Sequence, residues 1–349
     1  MNREGISIPF VTVSSKGLKN GLSGIENDGA DFGPDTPGTS SSGIVEAIKN
    51  SKSGNVMLLE GEFYTREQII ISEGINLSGN QKSIIINELE DPFVPVLVFR
   101  PYSSSSFLIV NANGKSGIKI GEQGNNSIKI DYVKVYNTGN IYAGAGRENV
   151  AVTITGYNII ADVVDVYKGN IGLKIAGGSD IRITDLQVVE SSTGLVVVSS
   201  EHVTFEHLSI DSCSYIGVQI DASNDVTIRG IVWNNVEACP SNTLKYGLLI
   251  GDYSSGYRNN GLTIELSIVG TGGTGVKISN ANLCTLNLKI ANGVFHTKDN
   301  EIKTGIEYGD GLSLISVSAL MSNVESQING AVGGRLILNG DIKENSHMH

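Results

Sequence analysis

Residues 128–136 read Ile128-Lys-Ile-Asp-Tyr-Val-Lys-Val-Tyr136, and the phrase returns as Ile159-Ile-Ala-Asp-Val-Val-Asp-Val-Tyr167. In each copy apolar residues alternate, skip one place, and alternate again. Alternation marks a strand with one buried face. The skip is what keeps that face inward when the chain turns a corner, because a one-residue slip otherwise sends every side chain to the other side. Further copies are Ile181-Arg-Ile-Thr-Asp-Leu-Gln-Val188, Val203-Thr-Phe-Glu-His-Leu-Ser-Ile210 and Val226-Thr-Ile-Arg-Gly-Ile-Val-Trp233. A continued skip in the last copy places Trp233, the chain's one tryptophan, inward and in the core.

A second phrase lies between the copies of the first. Glycine followed by alternating apolar residues starts at Gly117, Gly172, Gly194, Gly217, Gly247, Gly275 and Gly305, and from Gly172 onward the steps are 22, 23, 30, 28 and 30 residues. Fixed strands with insertions at one corner give such steps. Strands this short cannot bury a face alone, whereas stacked coils share one core. Three strands per turn predict an all-β fold, a right-handed parallel β-helix or solenoid. Two-residue Asn-Gly hairpins, the mark of a sandwich, are scarce.

Composition agrees. The chain has 349 residues with 43 Gly, 17% charged and 6% aromatic residues, which excludes disordered, collagenous and coiled-coil classes. The net charge is -11, with no basic stripe to neutralise phosphates, so neither nucleic acid nor an acidic membrane surface is an expected partner. No apolar run is long enough for membrane insertion. The N-terminal Met-Asn-Arg-Glu-Gly lacks a secretory core, so the chain either carries no export signal or begins after one. Cys213, Cys239 and Cys284 have no CxxC spacing and read as buried thiols rather than a disulfide framework or a zinc site.

Ahead of the coils stand Gly24-Ile-Glu-Asn-Asp-Gly-Ala-Asp-Phe-Gly-Pro-Asp-Thr36, then Ser41-Ser-Gly-Ile-Val-Glu-Ala-Ile-Lys49, then Gly54-Asn-Val-Met-Leu-Leu-Glu-Gly-Glu-Phe-Tyr64 and Ile75-Asn-Leu-Ser-Gly79. This is a turn-rich loop, a short helix with Ser41 or Ser42 as N-cap and Ile44, Ala47 and Ile48 on one face, and then strands. Such a helix would cover the open edge of the first coil. The expected organisation is an N-terminal extension (1–23), a loop and capping helix (24–53), the parallel β-helix (54–341) and a C-terminal tail (342–349).

The order of these elements resembles the N-terminal motif of the pectate-lyase-like superfamily. Asn27-Asp28-Gly29-Ala30, Asp35-Thr36, Val56, Gly61, Tyr64 and Gly79 match it, while Glu60 stands where a proline is usual. The resemblance implies the fold and a glycan ligand, since the superfamily holds pectate lyases, polygalacturonases, other polysaccharide lyases and viral tailspikes. It implies no mechanism. The Asn-Thr-Asp, Asp-Asp, Gly-His-Gly and Arg-Ile-Lys set of polygalacturonases is absent, as is the Arg-x-Pro-x-x-Arg of pectate lyases.

Candidate residues come from stacking the phrases. Asp131, Asp162, Thr184, Glu206 and Arg229 share the bend position, so they form one outward column spaced by ~4.8 Å per coil. Asp131 beside Asp162 would suit a shared proton or a bound cation, with Ca²⁺ the possible cofactor. Asp162 and Glu206, two coils apart at ~9.6 Å, stand near the ~6.5–9.5 Å carboxylate spacing of inverting glycosidases. Asp131, Asp162, Glu206 and Arg229 are therefore the catalytic candidates. Asp180, His202 and Asp225 form a neighbouring row, with Arg182 and His207 on the same face, and the loop with Asp252, Tyr253, Tyr257 and Arg258 could stack on a sugar. Outward positions of a β-helix must in any case be polar, and alternating charges avoid repulsion, so both readings of these rows stay open.

Three functions follow as expectations. The first is binding or depolymerising of a surface glycan, as by a viral tailspike or adhesin on a virion or outside the cell, where a homotrimer is possible. The second is a secreted polysaccharide lyase or glycoside hydrolase. The third is a non-catalytic structural component of a virion or cell surface.

Overall fold

The computed structural model describes residues 10–16, 30–139, 148–233, 245–251, 257–270, 272–292, 302–322, 324, 326–330 and 336–338. Cys239, Asp252, Tyr253 and the Asn27-Asp28-Gly29 part of the N-terminal motif lie outside the described residues.

The described chain winds as a right-handed parallel β-helix of three sheets. In the first coils each sheet takes its own strand: Asn55–Leu58, Gly61–Thr65 and Ile69–Ile71, then Asn76–Ser78, Ser83–Asn87 and Leu97–Phe99. Each pairs in parallel with the strand one coil on, Val56 against Leu77, Phe63 against Ile85 and Ile70 against Val98. From Asn125–Thr138 onward one strand runs through the corner between the first and second sheets, as in Glu201–Asp211, Asn224–Trp233 and Ala281–Ala291. The third sheet continues through Ile216–Asp221, Tyr246–Ile250, Thr274–Ile278 and Thr304–Tyr308, the copies of the glycine phrase.

One core fills the coil from Val13 to Met321, a stack of Ile, Leu and Val with Phe63, Phe99 and Phe205 fully buried. Cys213 and Cys284 lie in it as buried thiols. Removing a buried ring of this kind costs about 3–5 kcal/mol, lost transfer energy plus a cavity.

At the N-terminal end the helix Ile44–Asn50 buries Ile44, Ala47 and Ile48. The sheet edge itself is covered by Val11–Val13, paired with Val56–Leu58. The expected Ser41 or Ser42 cap is corrected: the N-cap is Gly43, at φ 84° and with no side-chain cap bond. A Cβ there would meet the backbone nitrogen of Gly33 at 2.6 Å, so the tight approach of the motif loop requires glycine. The Ser41 hydroxyl still accepts a bond from the Val45 N–H at 3.2 Å, while Ser42 Oγ donates to the Tyr64 carbonyl at 2.8 Å.

The corner between the first and second sheets changes along the molecule. In the coil of Glu206 the inward set is Val203, Phe205, Leu208 and Ile210, and two residues face out between Phe205 and Leu208. In the next coil a register shift sets Gly230 against Leu208, so Arg229 alone occupies the bend. Gly230 has φ 155°, and a Cβ would meet the Leu208 carbonyl oxygen at 2.0 Å. Beyond it alternation runs on without a skip, through Ile264, Leu266 and Ile268 and then Leu286, Leu288 and Ile290. This overturns the expected burial of Trp233. With the skip gone, Val232 points inward and Trp233 is 44% exposed.

Candidate functional site

The first step of the bend column is as stacked. Ile130 pairs with Ala161 and Tyr132 with Val163, which puts Asp131 beside Asp162. The place foreseen for a cation has an ammonium next to it. Lys129 Nζ is 2.9 Å from Asp131 Oδ1, and its pKa is raised first by the hydrogen bond and charge of Asp131 and to a lesser extent by Asp162. Next to them Tyr132 stacks on Phe107 at 4.4 Å and donates to Asp165 at 2.6 Å, and its phenol titrates above the ordinary range, through burial first and then through Asp165.

Further along, Glu206 and Glu265 each stand beside an arginine. Arg182 Nε donates to Glu206 Oε1 at 2.7 Å, and Arg229 Nε lies 3.7 Å from Oε2 of Glu265, its register partner. Asp185 pairs in register with His207. A second row runs through Asp180, His202 and Asp225, at φ 53°, 50° and 50°, left-handed residues at the point where successive coils enter the first sheet. Asx and His tolerate this backbone better than most residues. His202 stands between both acids, Nδ1 3.6 Å from Asp180 and Nε2 3.7 Å from Asp225, all three exposed. Leu283 and Leu314 take the same left-handed place later in the stack and stand exposed.

Where the corner straightens, a groove of about 860 Å³ crosses the coils from Glu206 to Leu320. Its polar walls are Glu206, His207, Arg229, Glu265, Asn287 and Lys289. Spanning coils stacked at ~4.8 Å, it is roughly 19 Å long. Donors and acceptors alternate along it, which suits a hydroxyl-rich chain lying parallel to the helix axis. Glu206 and Glu265 flank Arg229 two coils apart, at roughly 9.6 Å by the same spacing. Asp131, Asp162 and the Asp180–His202–Asp225 row are not among its lining residues. Tyr257 and Arg258 are exposed and also lie outside it.

Glu265, Asn287 and Lys289 were not among the sequence candidates. The signal was there in Thr263-Ile-Glu-Leu-Ser-Ile-Val269 and Thr285-Leu-Asn-Leu-Lys-Ile290, but these alternate without the skip that marked the earlier copies. Among the described residues no group of three or more His, Cys, Asp or Glu is placed to hold a metal ion.

Compared by sequence, the chain matches no family model and no curated protein. Compared by structure, it is similar to PfbA, a surface adhesin of Streptococcus pneumoniae, with TM-score 0.57, 14% identity and 89% of each chain covered. It is also similar to the Dettilon tailspike protein gp208, with TM-score 0.55, 10% identity, 94% of this chain and 68% of that one covered. A third similar structure is the enzymatically active domain of bacteriophage CBA120 tailspike protein 2, with TM-score 0.55 and 12% identity, covering 89% of this chain and 48% of that one. These are pectate-lyase-like parallel β-helix proteins, and what the chain shares with them is the fold.

Proposed function

We propose that this protein binds a polysaccharide on a cell surface, as a β-helix of the tailspike or adhesin kind, and that the chain lies in the groove between Glu206 and Leu320. The observation that carries this reading is the groove itself, a long outward channel walled by ion-paired acids and bases at the point where the corner straightens. Arg229 and Glu265 present one donor group and one acceptor group at fixed spacing, a pattern suited to successive sugar hydroxyls. The fold shared with a surface adhesin and two tailspikes supports a place on a virion or cell surface.

A depolymerising activity is favoured by one feature. Glu206 and Glu265 stand on either side of Arg229 at close to the upper end of the ~6.5–9.5 Å spacing of an inverting pair. In that reading one carboxyl group protonates the leaving oxygen and the other activates water, with Asp162 and Asp131 further along the same column.

The test is a screen of bacterial and plant polysaccharides, with and without Ca²⁺, read by binding, by reducing-sugar release and by absorbance of unsaturated products. Binding that falls at least tenfold in Arg229→Ala supports the groove, and product release abolished by Glu206→Gln or Glu265→Gln adds hydrolysis. Failure of every polysaccharide to bind would leave a structural rod and overturn the proposal.

A further inference from the structure

The groove follows the corner between the first and second sheets. On the other side of the first sheet, where the third sheet hands the chain back to it, lies a separate cleft of about 440 Å³. Tyr157 stands at one end and Tyr257 at the other, 45% and 71% exposed. Between them the floor is made of Gly177-Gly178, Ser199-Ser200 and Ala222, the same hand-over in successive coils. A Cβ at Gly177 would meet nothing within 4 Å, so the floor opens to solvent there. The backbone beneath is tied from coil to coil, Gly178 N to Ser200 Oγ and Ser200 N to Ser223 Oγ, each at 3.3 Å. The cleft is therefore rigid at its base and bare of large side chains. Glu201 and Asn224 supply the polar contacts.

We propose that this cleft is a second carbohydrate site, for a short neutral or N-acetylated glycan rather than an acidic one. Two exposed phenol rings facing the ends of a shallow, small-residue floor offer apolar faces for the C–H side of pyranose rings. Glu201 accepts from sugar hydroxyls, and Asn224 both donates and accepts. No Lys or Arg is among the described lining residues, so a uronate or sialate carboxylate would meet Glu201 without a counter-charge from them. The volume falls within the ~300–1,000 Å³ typical of small-ligand sites, enough for a short oligosaccharide but not for a long chain. Glu201 and Glu206 stand on one strand, five residues and roughly 16 Å apart at ~3.3 Å per residue, so cleft and groove are distinct sites on adjoining edges. The inference rests on the reading of the protein as a glycan binder, but on different residues.

The test uses the whole chain and four defined probes: lactose, maltose and N,N′-diacetylchitobiose as neutral disaccharides, and cellobiouronic acid as the acidic one. Binding is followed by saturation-transfer NMR and calorimetry. At least one neutral probe is expected to bind, about tenfold more weakly in Tyr157→Ala or in Tyr257→Ala, according to which end it occupies, and within about twofold of the parent in the corresponding Phe variant, which keeps the ring face. Both tyrosines are surface residues, and unchanged melting of the variants excludes misfolding. Arg229→Ala is expected to leave the disaccharide signal intact while weakening the polysaccharide. The proposal is overturned if no neutral probe binds, if both alanine variants bind as the parent does, or if the acidic probe binds as well as the neutral ones. Loss of polysaccharide binding in Arg229→Ala alongside any of these results leaves the groove standing without the cleft. Disaccharide binding that depends on the tyrosines, with no polysaccharide bound, leaves the cleft standing without the groove.

Discussion

Arg229 and Glu265 face each other across one step of the stack, Nε 3.7 Å from Oε2, as direct register partners on adjacent parallel strands. Both side chains are more than 60% exposed, at 63% and 67%. An ion pair so open to water contributes at most about 1 kcal/mol to stability. Its place on the groove wall gives it another use. Arg229→Ala and Glu265→Gln are expected to shift the urea midpoint little while reducing polysaccharide affinity at least tenfold. An equal loss of stability and affinity would show the pair to be only structural.

Gly230 is where the corner loses a residue, and a Cβ there would lie 2.0 Å from the Leu208 carbonyl oxygen. Gly230→Ala is expected to destabilise the fold by more than about 2 kcal/mol, since neither backbone has a flexible side chain that can yield. Chemical denaturation of the variant checks this. A stability equal to that of the parent would mean the corner rearranges freely.

Phe205 is fully buried in the coil next to this change. Phe205→Ala is expected to cost about 3–5 kcal/mol by equilibrium unfolding. Phe205→Leu, which keeps much of the volume, should recover most of that loss.

Trp233 reports on the register by itself, being the chain's one tryptophan and 44% exposed. Native fluorescence should resemble that of indole in water and be quenched readily by iodide. A blue-shifted, unquenchable emission would return the residue to the core and with it the skip that the structure removes.

Tyr132 titrates late because burial, and then its bond to Asp165, disfavour the phenolate. For such a group the unfolded chain loses its proton first. The stabilisation is therefore complete below the unfolded value near ~10 and fades as pH rises through the higher folded value. Spectrophotometric titration of the phenols should show a late-ionising group that is absent from Tyr132→Phe. The melting temperature of the parent should fall more steeply above about pH 10 than that of the variant.

The coil itself was legible because its physics is periodic. Alternation, skip and glycine each leave a residue-level trace, and the stacking of Asp131 on Asp162 and of Asp180, His202 and Asp225 follows from counting alone. Counting failed at Gly230, where a missing residue leaves the pattern looking intact for one more coil, and that single step misplaced Trp233 and hid Glu265. Partners were less legible still. Whether Glu206 turns to Arg182 or to Arg229 depends on side-chain rotamers, and whether Gly43 or a serine caps the helix depends on how close the Gly33 loop passes, neither of which leaves a period in the chain.

Because each coil touches only the coil before and the coil after, the molecule has no centre whose loss undoes the whole. Length is its variable dimension. Excising or duplicating one turn of 22 residues, the step between Gly172 and Gly194, would shorten or extend the rod without asking distant residues to adapt. With a polysaccharide as the proposed ligand, lineages could then adjust reach by whole turns, tuning how many sugars are gripped at once rather than how strongly each is held.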